Sequence, residues 1–319
     1  MSTQLDAVTI GETMVMFAAQ SDGRLRYVRY FERSAGGAES NFAIALTRLG
    51  LRAGWISRVG DDEFGAYLLA CMRVEGVDVS RVIMDSQRPT GLFFKERAQG
   101  GDVRVSYYRR HDAAAAFSPA DLDRDYLTSA RHLHLTGITV TLGPSCQEMV
   151  LEAMRIAREA GMSVSFDCNV RLNLWDSDRW RDALEPCIAA AELVFVTTDE
   201  ARILCGTGVA QDAARRLLDA GPSQVVVKQG NRGAWIATTS EAFHQPAEPV
   251  ATVVNTHGAG DAFAAGLVGG RLLGWDIRRS AHVAAILGAA ATTVSGNIEG
   301  LPTIKEVIAR MKDKPIPLR

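Results

Sequence analysis

Val253-Val254-Asn255-Thr256-His257-Gly258-Ala259-Gly260-Asp261-Ala262-Phe263 is the stretch whose reading decides the fold. An apolar run ends in a glycine-rich turn, and a long helical pattern over 258–273 begins at once. Gly258 and Gly260 let the backbone approach a ligand closely. The first amides of the helix point at the turn and, with the helix dipole, form an anion site. Asp261 lies in the first helical turn, where a carboxylate either caps the helix or serves as a general base beside a held phosphate. Two familiar phosphate motifs are absent. GxxxxGK[ST] occurs nowhere, and a dinucleotide GxGxxG would need glycine at Phe263.

Outward from this turn, β-branched runs alternate with amphipathic stretches, which is the pattern of parallel βαβ units. Strands are expected at 7–10, 54–59, 132–136, 163–167, 193–196, 224–228 and 235–238. Helices are expected at 40–49, 64–75, 145–160, 177–189, 211–219, 258–273, 278–294 and 303–311. Phe42, Ala45, Leu46 and Leu49 recur at helical spacing and give the first helix one buried face. Two segments, about 13–33 and 89–111, have strand chemistry without a following helix. Thr90-Gly91-Leu92-Phe93-Phe94-Lys95 and Val103-Arg104-Val105-Ser106-Tyr107-Tyr108-Arg109 flank Gly100-Gly101 and read as a hairpin. The two segments are either one small sheet lying over a cleft as a lid or two unrelated hairpins. Length alone suits two domains or one large α/β domain.

A second motif is Gly36-Gly37-Ala38-Glu39-Ser40-Asn41-Phe42-Ala43, followed by Arg58-Val59-Gly60-Asp61-Asp62-Glu63-Phe64-Gly65. Glycines ahead of a helix that begins Glu-Ser-Asn suit a polar ligand at the helix N-terminus. With Lys228-Gln229-Gly230-Asn231-Arg232-Gly233 and the terminal Gly-Ala-Gly-Asp, these motifs span nearly the whole chain. Together they resemble the ribokinase-like (PfkB) sugar kinases. Thr90 to Glu96, Tyr107-Tyr108-Arg109 and Asp167-Cys168-Asn169-Val170-Arg171-Leu172-Asn173-Leu174-Trp175 are similar to the 2-keto-3-deoxygluconate kinases within that family.

The resemblance implies a ribokinase-like three-layer α/β sandwich, with a mostly parallel central sheet and a small β lid. One domain would span 1–319, with lid strands inserted at about 13–33 and 89–111. It implies ATP-dependent phosphorylation of a sugar hydroxyl, with 2-keto-3-deoxygluconate as the sugar and fructose or ribose as alternatives. A weakly active sugar- or nucleotide-binding homologue is the rival from another class. Asp261 would be the base, and Gly258, Ala259 and Gly260 would supply amides to the phosphoryl group. Gly37, Asn41 and Phe93 would line the sugar, and Tyr107, Arg109 and Arg171 would hold its acid end. Lys228, Gly230 and Gly233 would lie along the nucleotide, with Gly258 and Gly260 at its phosphates. Glu200 would bind Mg²⁺ through water. The resemblance also implies a homo-oligomer joined through the lid sheet.

The two arginines have a reason of their own, since a planar guanidinium pairs bidentately with a carboxylate. Arg171 sits in an Asp-x-Asn-x-Arg context after a strand end, where ligands of open α/β sheets bind. Three positions depart from the family pattern. Asn255 stands for an Asp, which bears on a monovalent-cation site. Thr197 stands for the Asn of Asn-x-x-Glu, and Phe93 stands for a Tyr.

The remaining sequence sets limits. Lys plus Arg number 35 and Asp plus Glu number 37, a balance that argues against nucleic acid as the partner. Arg24, Arg26, Arg29 and Arg33 interleave with Tyr27, Tyr30 and Phe31 and read as a half-exposed strand. The longest apolar stretch, 283–294, is too short to span a membrane. No basic segment followed by an apolar one opens the chain. Cys71, Cys146, Cys168, Cys187 and Cys205 form no CxxC pair and read as thiols of a cytoplasmic protein. His132 and His134 share one face of a strand and could bind metal, but no third ligand is evident and core packing is the plainer reading.

Overall fold

A computed structural model describes residues 4–97, 103–172 and 174–312. The main sheet holds nine strands, in chain order β1 (Leu5–Ile10), β4 (Ala53–Gly60), β5 (Val82–Asp85), β8 (Ala130–Thr136), β9 (Ser163–Asp167), β10 (Leu193–Thr197), β11 (Gln224–Lys228), β12 (Ala234–Thr238) and β13 (Ala242–Gln245). A second sheet holds four: β2 (Met14–Ala19), β3 (Phe31–Gly36), β6 (Leu92–Arg97) and β7 (Val103–Tyr108).

In the main sheet the spatial order is β13-β12-β11-β10-β9-β8-β1-β4-β5. The strands from β5 to β11 pair in parallel, while β12 and β13 add an antiparallel edge. Both faces are covered, so strands such as β10 and β11 present apolar side chains on both sides. Val194, Val196, Val225 and Val227 enter one core, whereas Phe195 and Val226 enter the other. Helices Pro144–Glu159, Ser177–Ala190 and Ala210–Asp219 cover the first face, and Ala38–Arg48, Ala259–Leu272 and Ile277–Ala291 cover the second. The last two helices approach so closely that a Cβ on Gly266 would lie 2.6 Å from the Ala284 Cα. The result is a three-layer α/β sandwich.

The chain leaves β1 toward β4 on one side and later fills β8 to β11 on the other. Strand order therefore reverses between β1 and β8, and the crevice beyond their carboxyl ends is where such sheets bind ligands. The four-stranded sheet sits by that crevice. Its order is β3-β2-β6-β7, with β2 and β6 parallel. The two inserted segments are thus one sheet and not separate hairpins. Asp62 fastens the sheet's root. It caps the helix Glu63–Val74 and also accepts from the Thr90 amide at 2.8 Å and the Thr90 hydroxyl at 2.8 Å.

All seven expected strands are present, with ends shifted by two residues at most. The short edge strands β5 and β13, at four residues each, were not expected, because so few residues show no period. Three short helices were also missed, at Arg124–Thr128, Gly137–Val140 and Thr198–Cys205. The helix expected to reach 294 stops at Ala291, where the Thr292 and Thr293 hydroxyls turn back onto the Ala289 and Ala290 carbonyls. The strand expected around Arg24 begins only at Phe31, because β2 offers it partners only from Ala19 inward. Leu25–Tyr27 is a single 3₁₀ turn instead. The Gly100-Gly101 turn lies outside the described residues. Among the described residues no helix is long and apolar enough to cross a membrane.

Candidate active site

The turn before helix Ala259–Leu272 requires glycine at Gly258, which has φ +80°. A Cβ there would also lie 2.9 Å from the Asn297 carbonyl oxygen. No side chain caps this helix. Asp261 is therefore not its cap, and its carboxylate faces the cleft, where Oδ2 accepts from Asn41 Nδ2 at 2.8 Å. Asn41 comes from the helix Ala38–Arg48, whose N-cap is Gly37. The two glycine-rich helix starts thus face each other across one cleft of about 430 Å³.

Burial pushes the Asp261 carboxyl up to about 7; the Asn41 hydrogen bond opposes this and Asp167 adds to it, while Lys228 and Arg171 oppose it. A carboxylate so placed is poised to accept a proton near neutral pH. Lys228 was expected along the nucleotide, but its Nζ turns into this cleft and pairs with Asp167 Oδ2 at 2.6 Å. Burial lowers the Lys228 ammonium, but Asp167 and Glu200 outweigh it, so its pKa lies above the ordinary value. A Cβ on Gly260 would stand 3.2 Å from that Nζ. Ala259 and Gly260 form the first helical turn with Asp261.

The expected substrate residues Gly37, Asn41, Phe93, Tyr107, Arg109 and Arg171 all line the same cleft as Asp261. Phe93 and Tyr107 descend from the lid, with ring centroids 5.7 Å apart. Phe93 is buried against Met14 and Met16, so it acts as an apolar wall. Arg109 is not a free cation, since Nη2 lies 2.5 Å from Glu12 Oε2. Glu12 is buried and its carboxyl is held well above the ordinary range by desolvation, which the Arg109 charge opposes. Arg171 donates to the Val170 carbonyl at 3.0 Å and has no carboxylate partner among the described residues.

Gly230 and Gly233 do not line this cleft. They lie in the turn from β11 to β12, and both have positive φ, +61° and +95°. A Cβ on Gly233 would strike the Gln245 carbonyl oxygen at 2.0 Å, so that glycine serves the packing of the turn on β13. His132 and His134 are core residues. They hydrogen-bond Ser163 and Ser165, and His134 stacks on Phe42 with centroids 3.7 Å apart.

Glu200 lines the cleft, but both its oxygens accept backbone hydrogen bonds, from Val170 N at 2.8 Å and Thr197 N at 2.6 Å. Thr197 and Glu200 form a reciprocal capping box, which is why the helix Thr198–Cys205 tolerates threonine there. Asp167 Oδ1 nearby is buried without a hydrogen-bond partner. A hard divalent cation that keeps most of its waters needs only one or two such carboxylates plus phosphates, so Glu200 and Asp167 fit Mg²⁺. The sequence reading gave no role to Asp167, Glu12 or Lys95, although all three line the cleft. Asp167 and Glu12 each stand at or just past the carboxyl end of a parallel strand, a position that could have marked them.

The profile described as pfkB family carbohydrate kinase matches residues 4–304. A 2-dehydro-3-deoxygluconokinase of Bacillus subtilis is 40% identical over 303 residues, covering 94% of this chain and 93% of its own. One of Thermoproteus tenax is 36% identical, covering 97% of this chain and 94% of its own. A putative ribokinase II of Escherichia coli, solved in complex with ATP and Mg²⁺, superposes with a TM-score of 0.89 at 28% identity, over 97% of this chain and all of that one. The chain belongs to the pfkB family and is an ATP-dependent carbohydrate kinase.

Proposed function

We propose that the sugar is 2-keto-3-deoxygluconate (the 2-dehydro-3-deoxygluconate of the relatives' names) and that it is phosphorylated at its terminal 6-hydroxyl. The observation that supports this most is Arg171, a cleft cation without a carboxylate partner among the described residues. It stands ready for an acid end of the sugar, with Tyr107 and Arg109 on the lid side. Asp261 lines the same cleft, within reach of the Arg171 charge. Its carboxylate takes the proton of the hydroxyl, and the oxygen so released attacks the γ-phosphorus while ADP departs. The amides of Gly258, Ala259 and Gly260 hold the oxygens of the group in transfer. Mg²⁺ beside Glu200 and Asp167 would neutralise phosphate charge. Lys228 pairs with Asp167 and adds positive potential under the phosphate turn.

A neutral sugar such as fructose or ribose is the second reading, favoured by the Glu12–Arg109 contact, which already occupies one of the two arginines. A panel of sugars with Mg-ATP in a coupled ADP assay decides. kcat/KM highest for 2-keto-3-deoxygluconate supports the proposal, and a neutral sugar in first place overturns it. Turnover with no sugar leaves only the binding homologue.

Self-association through the lid fits its outer face. Phe17, Phe31 and Phe94 cluster there with Tyr108, which is 63% exposed. Sedimentation showing a monomer at micromolar concentration overturns that reading. The five unpaired cysteines suit the cytoplasm as the place of work.

A further inference from the structure

We propose that Lys95, on the lid strand β6, is a phosphate-contacting catalytic residue whose ammonium meets the phosphoryl group held over Gly258–Asp261. The inference deepens the kinase reading and rests on it.

Lys95 is only 9% exposed, yet among the described residues it makes no hydrogen bond or ion pair. Glu299 acts on it only through charge. The stem is packed away, but the ammonium opens onto the cavities that Lys95 lines, and an anion arriving there would give it the contacting counter-charge it lacks. Of the other cleft cations, Arg109 holds Glu12 and Lys228 holds Asp167, while Arg171 donates only to the neighbouring Val170 carbonyl.

Position points to phosphate. Lys95 follows Phe93 by two residues along β6, so both face the cleft side of the lid. Among the described residues, only Lys95 and His257 line both the cleft and an adjoining cavity of about 710 Å³. His257 belongs to the phosphate turn, and the charge of Lys95 contributes to pushing its imidazole down to about 4, after burial. Arg171 acts on His257 in the same way, so it is the shared lining of both cavities that sets Lys95 beside the turn. Burial also pulls Lys95 itself down to about 8, and a bound phosphate would restore its charge.

In the transfer step the sugar oxygen forms a bond to the γ-phosphorus and the bond from that phosphorus to ADP breaks. The hydroxyl proton passes to Asp261, and Lys95 keeps its own. Its charge offsets the negative charge of the group in flight. Because Lys95 rides on the lid and the turn belongs to the body, the ammonium reaches the phosphate only when the lid lies over the cleft.

The test uses the full chain with Mg-ATP and the best sugar of the panel. If the wild type shows no sugar-dependent ADP formation, the kinase reading of this site fails, and this proposal with it. With an active wild type, Lys95→Met is expected to lower kcat by about 10²-fold or more, the scale of losing one charge-stabilising donor. KM for the sugar should move by no more than about threefold. Lys95→Arg keeps a cation and should retain at least about a tenth of kcat. A Lys95→Met enzyme whose kcat stays within about threefold of wild type, or a loss confined to the sugar KM, overturns the proposal. Should thermal melting show that Lys95→Met is unfolded, Lys95→Gln takes its place under the same criteria.

Discussion

Glu12 Oε2 and Arg109 Nη2 lie 2.5 Å apart, one residue just beyond β1 of the body and the other just beyond β7 of the lid. The guanidinium expected to grip the sugar acid is thereby tied to a buried carboxylate at the root of the lid. Arg171 has no such tie among the described residues. Arg171→Ala and Arg109→Ala are both expected to raise KM for the acidic sugar. Arg171 should matter more, because it has no carboxylate of its own among the described residues and its loss leaves the substrate charge unpaired. Fructose should be affected far less. Equal losses for acidic and neutral sugars would remove the carboxylate assignment.

Asp261→Asn is expected to abolish turnover while nucleotide binding survives, since the amide has the same shape but cannot take a proton. General-base contributions are about 10²–10⁴-fold, so residual kcat above about a tenth excludes Asp261 as the base. The pH profile gives an independent check. A base must be a carboxylate to act, and burial pushes the Asp261 carboxyl up to about 7. The rate should therefore fall as pH drops below about 7 and level off above it.

Asn41→Ala removes an N–H donated to that carboxylate at 2.8 Å. A bond that stabilises the ionised form lowers the pKa, so its loss raises it. The acidic limb of the kcat profile is expected to move toward higher pH. A limb that stays in place, or moves to lower pH, would show that Asn41 does not tune the base.

Lys228→Met leaves Asp167 as an unpaired carboxylate that is 2% exposed. Breaking a buried pair from one side costs about 3–5 kcal/mol. Urea unfolding should show this as a lower midpoint with an unchanged slope. Lys228→Met with Asp167→Asn should recover part of the loss, and a double variant no more stable than the single would argue against direct pairing.

Asn255 fastens the phosphate turn without a charge. Its Nδ2 donates to the Ser295 carbonyl at 2.8 Å, and its Oδ1 accepts from the His257 amide at 3.1 Å. An Asp could not donate to Ser295, and its charge beside that carbonyl would attract a cation. The wild-type rate is expected to depend only weakly on K⁺, and Asn255→Asp to increase the response. Rates at low and high K⁺, with ionic strength held by a bulky cation, test this. Strong K⁺ activation of the wild type refutes it.

The sequence by itself determined the alternation of strands and helices, because burial on both sheet faces demands apolar runs such as Val225 to Val227. It also marked Gly258 and Asp261, because a tight turn into a helix whose amides meet an anion favours a residue free to take positive φ, and a carboxylate in that first turn is placed to act as a base beside it. Tertiary structure alone decided how the charges pair. Glu12 with Arg109, Asp167 with Lys228 and Asn41 with Asp261 join residues far apart in the chain, and no local pattern records such a contact. The lid was decided the same way: β2 and β6 each look like half of a hairpin, and only their parallel pairing makes one sheet. That sheet also sets Lys95 at the cleft with no ion pair among the described residues. A charge's partner depends on which strands the whole chain brings side by side, and burial then fixes whether that charge is satisfied or available.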